Sequence, residues 1–270
     1  MSPILLFHIF DISETNQSLS WATGRNENLF EILISAAENF DKSRQRKTFA
    51  LLSYLCDFCR SPHESESRYI HFVRGKILFM KTVKVENLIE GLCAIPEAEF
   101  DCENVYRFLS ENPVDVDSIA VYFNWSENFY TRNLIFKNER FEIMAICWNK
   151  GQVSKIHNHA GQMCWMTVPI GKLRGQNFRA VEIDEAEGFC KLEETNQFNL
   201  SDCLAAKVEL EEPIHQILNL PEFNEPAVSL HIYSKPFNKC LCYCKDTDTF
   251  KEVNLCYTSV EGVLCDGIKL

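Results

Sequence analysis

The sequence predicts a mainly β protein: a closed antiparallel barrel or jelly roll preceded by α-helices, with an additional helical extension at the amino-terminal end. Three observations predict it. Apolar residues recur at helical spacing early in the chain, the texture changes to short β-prone runs from about Asn133, and Gly, Pro, Asn and Asp punctuate those runs. Many short strands after a helical lead-in favour closure, because a closed sheet leaves no unpaired edge.

Taken in order, Leu29, Phe30, Ile32, Leu33 and Ala36 lie at helical spacing within residues 28–39, and residues 49–58 continue the pattern after a charged turn. Ser61-Pro62-His63-Glu64-Ser65-Glu66-Ser67 is a polar breaker and the best boundary candidate, with an extension over residues 1–80 and a main domain over residues 81–270. A second helical region covers residues 85–92 and 102–109 and stops at Asn112-Pro113, since the residue before a proline is pushed out of the helical region. Strands are expected over residues 141–148, 164–169, 172–181, 203–210, 227–234 and 240–243.

Composition excludes several functions. At 270 residues and 46% hydrophobic, the chain can bury a sizeable core. A net charge of −11 argues against a nucleic-acid surface, and Lys42, Arg44, Arg46 and Lys47 read as one solvated helix face. Residues 1–10 are apolar but lack a basic leader and a small-residue cleavage site, and no apolar run approaches a membrane span. Thirteen cysteines, an odd number in a long chain, point away from a disulfide framework and toward a reduced, cytoplasmic protein, taken as a monomer. Cys56-Asp57-Phe58-Cys59 lacks a second pair with zinc spacing, and Cys240, Cys242 and Cys244 read as small hydrophobes on one strand face.

The chemistry concentrates in Gly151-Gln152-Val153-Ser154-Lys155-Ile156-His157-Asn158-His159, followed by Cys164 and Gly171. On a strand, His157 and His159 would share a face and could grip one metal ion, with a third imidazole from His215 in Pro213-Ile214-His215-Gln216-Ile217-Leu218-Asn219. Three histidines could hold iron or zinc.

The spacing from Gly151 through His157, His159 and Cys164 to Gly171 resembles the first motif of the cupins, with Cys164 where many carry a glutamate ligand. His215 and Asn219 resemble the end of the second motif, without its usual glycines. Together with Tyr130-Thr131-Arg132-Asn133-Leu134, Cys147-Trp148 and Ala227-Val228-Ser229-Leu230-His231-Ile232-Tyr233-Ser234, these runs look like cysteine dioxygenase over roughly residues 81–250. The resemblance implies a cupin jelly-roll β-barrel. It also implies Fe(2+) on His157, His159 and His215, and oxidation of the thiol of L-cysteine by O2 to the sulfinic acid. Arg132 and Tyr130 would then bind the substrate carboxylate, while Ser229 and His231 would orient the catalytic Tyr233 hydroxyl. Cys164 and Tyr233 stand where animal-type members form a thioether crosslink.

Three departures stand out. Members commonly read Ser-Pro-Pro after the tyrosine with a cis bond before the first proline; here the run is Ser234-Lys235-Pro236, where a cis bond costs about 2.5–4 kcal/mol. Met163 replaces a histidine, and the long extension is additional and could bind a protein partner. The alternatives are a dioxygenase of another small thiol, such as 3-mercaptopropionate, and a non-catalytic metal-binding cupin.

Overall fold

The computed structural model describes residues 18–22, 67–73, 76–201, 205–208 and 214–267. The chain divides into two compact units, Met1–Lys81 and Thr82–Leu270. In the first, the described residues are three strands, β1 (Ser18–Ala22), β2 (Ser67–Val73) and β3 (Lys76–Lys81), paired antiparallel in the order β1-β2-β3. The described part of the extension is therefore β rather than helical. Its runs Tyr69-Ile70-His71-Phe72-Val73 and Ile77-Leu78-Phe79 carry the aromatic and branched residues that fit a pleated surface. The helical expectation over residues 27–60, the basic cluster and the Cys56–Cys59 pair fall outside the described residues.

The second unit opens with helices α1 (Val85–Ala94), α2 (Cys102–Glu111) and the single turn α3 (Val116–Ile119). Helix α1 buries Val85, Leu88 and Leu92, and α2 buries Val105 and Leu109, one stripe in each case. Asp101 caps α2 by accepting the Asn104 backbone N–H at 2.8 Å.

Among the described residues, thirteen strands follow. They are β4 (Thr131–Lys137), β5 (Glu142–Trp148), β6 (Ile156–His157), β7 (Met163–Ile170), β8 (Lys172–Asp184), β9 (Phe189–Ser201) and β10 (Ala206–Lys207). Then come β11 (Ile214–Leu218), β12 (Ala227–Ser234), β13 (Lys239–Cys244), β14 (Thr249–Asn254), β15 (Ser259–Val260) and β16 (Val263–Leu264). One sheet runs β10-β7-β12-β5-β4-β15-β16, and the ring β11-β6-β13-β14-β9-β8 closes on itself. This is the cupin jelly roll. Within the expected 203–210 strand the described pairing is confined to β10, and the neighbouring residues lie outside the description.

Every residue of β5 and β12 is buried, because the sheet has a core on both faces. Ile143, Ala145, Cys147, Val228, Leu230 and Ile232 face the helices. Met144, Ile146, Trp148, Ala227 and Tyr233 face the barrel interior. The β5–β12 register pairs Ser229 with Ile146, His231 with Met144 and Tyr233 with Glu142, so Ser229, His231 and Tyr233 all point inward. Gly171, at φ 69°, turns β7 into β8 where a Cβ would stand 2.4 Å from the Pro226 carbonyl oxygen. The Ser234–Lys235 peptide is cis. No helix among the described residues is long and apolar enough to cross a membrane.

Trp165 on β7 joins helices to sheet. It is fully buried, donates its indole N–H to the Cys102 carbonyl at 2.9 Å and meets Phe100 edge-on at 6.0 Å. Trp165→Ala is expected to cost about 3–5 kcal/mol in chemical denaturation, and a loss below about 1 kcal/mol would show that this contact does not hold the layers together.

Candidate metal centre and substrate cavity

His157 ends β6 and pairs directly across with His215 on β11, while His159 lies two residues beyond, past the end of the strand. The shared strand face expected for His157 and His159 is thus not what aims the second ring. The chain turns sharply at Ala160 (φ 51°) and Gly161 (φ 76°). Asn158 anchors that turn: its side-chain oxygen accepts from the Ala160 and Leu241 backbone N–H groups at 3.3 and 3.0 Å.

The three rings converge. Centroids of His157 and His159 each lie 4.7 Å from His215 and 5.4 Å from one another, and one nitrogen of each falls within 4.8 Å of the others. Nδ1 of His157 lies 2.8 Å from the Lys155 carbonyl oxygen. A carbonyl only accepts, so Nδ1 carries the proton and Nε2 keeps its lone pair. Both ring nitrogens of His159 are buried without a partner. Burial pulls His157 down to about 4 and holds His159 and His215 well below the usual histidine value, so all three are neutral near pH 7. Neutral, converging lone pairs with an orphaned buried nitrogen suit a cation, and these residues could hold one.

The cavity above them, about 550 Å³, is lined by Tyr130, Arg132, His157, His159, Tyr233 and Phe237 among others. Nε of Arg132 is buried without a partner, leaving a cationic donor available to an anion. The Tyr130 ring stacks on Trp148 at 4.5 Å, which fixes it beside Arg132 at the start of β4. His231 Nδ1 lies 3.0 Å from the Tyr233 hydroxyl, and its Nε2 lies 2.9 Å from Ser229 Oγ. Burial takes His231 down to about 3 and pushes the Tyr233 phenol well up, so both are neutral. Cys164 pairs with Tyr233 across β7 and β12, and burial raises its thiol.

Three features escaped sequence reasoning. Trp148, named there only within the Cys147-Trp148 run, donates its indole N–H to Ser229 Oγ at 2.9 Å and so extends the chain behind Tyr233. Glu142 flanks Tyr233 on the side opposite Cys164; it is fully buried, accepts from the Tyr257 hydroxyl and lies 3.6 Å from Lys137 Nζ, while its Oε1 has no partner. Cys240 and Cys242 are buried as expected but line the cavity, and Cys244 is exposed.

The family model described as Cysteine dioxygenase type I matches residues 80–246. The chain belongs to the cysteine dioxygenase family. Among relatives, the protein named Cysteine dioxygenase type 1 of Homo sapiens is 29% identical over 166 residues, covering 61% of this chain and 80% of that one. That of Rattus norvegicus is 30% identical over the same shares. That of Danio rerio is 28% identical over 188 residues, 68% of this chain and 90% of the relative. Membership of the cysteine dioxygenase family makes the chain a thiol dioxygenase of the oxidoreductase class, and it agrees with a metal at the three histidines.

Histidines held neutral bind fewer protons folded than unfolded, so stability rises with pH where the unfolded chain takes up protons. For His157 the contribution is complete above about 6.5 and is lost as pH falls toward about 4, and His159 and His215 act in the same direction. Denaturation midpoints of the metal-free protein are expected to fall steadily across that window, together with metal retention. A flat profile between pH 7 and pH 5 would contradict buried neutral rings.

Proposed function

We propose that this protein is an iron-dependent dioxygenase that oxidises the thiol of L-cysteine with O2 to cysteine sulfinic acid, acting in the cytoplasm where thiols stay reduced. One observation carries the reading: of three converging neutral imidazoles, His157 and His159, the latter with orphaned nitrogens, line a cavity with a guanidinium whose Nε lacks a partner. An amino acid thiol complements both features.

His157, His159 and His215 would hold the metal. A ferrous ion there would keep its full positive charge and open positions for a thiolate and an amine, and would supply the redox-active centre that dioxygen chemistry requires, the net electrons coming from the thiol sulfur.

The remaining work falls to residues of the chain. Arg132 takes the substrate carboxylate through parallel charge-assisted bonds, and that grip sets where the thiol points. Tyr130 contributes a second polar contact from the same edge. Tyr233, held by His231, presents its hydroxyl to the cavity and can donate or hold a proton at its oxygen. If Ser229 donates to His231 Nε2, then His231 Nδ1 donates to Tyr233, which frees the phenol hydrogen for the substrate side. Phe237, 5.2 Å from Tyr233 and 6.0 Å from His159, packs an apolar ring beside both. The cross-strand neighbours Cys164 and Tyr233 would form a thioether during turnover, tethering the phenol.

Anaerobic iron loading followed by oxygen uptake with L-cysteine and product identification tests the reading. His157→Ala is expected to abolish iron retention. Arg132→Ala should retain iron and lose about 2–5 kcal/mol in kcat/KM for cysteine. No oxygen consumption by fully loaded protein would reject the proposal, and faster turnover of 3-mercaptopropionate than of cysteine would change the substrate. For the crosslink, intact mass after turnover should show a loss of two hydrogens that Cys164→Ser removes while activity falls without vanishing; persistence of that mass in the variant would refute the pairing.

A further inference from the structure

Two thiols that the proposed oxidation does not use share the cavity. Cys240 and Cys242 alternate on β13, so both side chains leave one face of the strand, and both line the cavity beside His157 and Arg132. Both are free and buried, at 3% and 9% exposure, with the two thiols beside each other. Cys242 also pairs directly with His157 between β13 and β6.

Same-face neighbours on an extended strand are spaced about 6.6 Å along the backbone. That is at the long end of what a disulfide tolerates, so a direct sulfur–sulfur bond is disfavoured. A cation bonded to both sulfurs at about 2.3 Å each spans the remaining gap without moving the strand. Among the described residues, the three histidines are the one group of three or more converging donors, so the thiol pair offers two ligands rather than three. Two thiolates suit a soft cation of low coordination number, whereas neutral imidazoles suit a harder one.

We propose that Cys240 and Cys242 form a second metal site, a two-sulfur clamp for a thiophilic cation of the monovalent-copper class on the wall of the cavity. On binding, each S–H bond is replaced by a sulfur–metal bond and two protons leave to solvent, so no oxidant is needed. The site does not depend on the cysteine dioxygenase reading.

Monovalent copper, added anaerobically to iron-loaded protein in competition with a chromophoric copper chelator, tests the site. The chain used carries Cys56→Ser and Cys59→Ser, which removes the closely spaced pair elsewhere in the sequence. One copper ion per chain is expected to resist the chelator, with sulfur neighbours in copper X-ray absorption. Cys240→Ser and Cys242→Ser should each lose that ion while retaining iron, and Cys244→Ser on the same strand should keep both. Nitrogen neighbours around copper, or retention unchanged in either cavity variant, overturns the proposal. The absorption measurement needs no cavity variant, so a folding failure in one of them leaves the test intact.

Discussion

Closure of the barrel at β6 and β11 places His157 opposite His215, and the rest of the site is arranged around that pair. Two imidazoles held in register by backbone hydrogen bonds need no adjustment to face the same point. His159 then has only to be swung in, which the Ala160–Gly161 turn does while Asn158 ties the turn to β13. Burying three rings that cannot all find partners carries a desolvation cost. The surrounding strands sustain it because β5 and β12 are packed on both faces.

The electrostatics are uneven in a useful way. The four histidines of the cavity region, His231 included, are kept neutral by burial, so Arg132 is the cavity lining's charged group closest in role to an anion receptor. On the opposite side of Tyr233, Glu142 reaches out through Tyr257 and Lys137, and its charge adds to the burial that keeps the phenol protonated. Tyr233 therefore sits between a buried acid on β5 and the Cys164 thiol on β7, with its hydroxyl turned toward His231.

Much of this was legible in the sequence because packing on two faces writes an uninterrupted apolar run. Strands β5, β7 and β12 were readable for that reason, as were α1 and α2 from their single stripes. Strand β9 was not: its residues alternate between polar types, since much of the β8–β9 hairpin faces water. Strand β6 is too short to show any period. His157, His159 and His215 stood out by spacing, and their convergence follows from pairing that spacing cannot specify. Trp148 and Glu142 were illegible in role because a tryptophan in a β run looks like core and a glutamate at a strand start looks like surface. Only the register shows what each one touches.

The row Trp148, Ser229, His231, Tyr233 has a property that follows from its far end. An indole nitrogen donates and never accepts, so nothing can be handed past Ser229. The row is a cul-de-sac rather than a conduit. A hydrogen given up by Tyr233 cannot drain to bulk solvent by that route. Every lasting gain or loss must pass through the mouth that the substrate itself occupies.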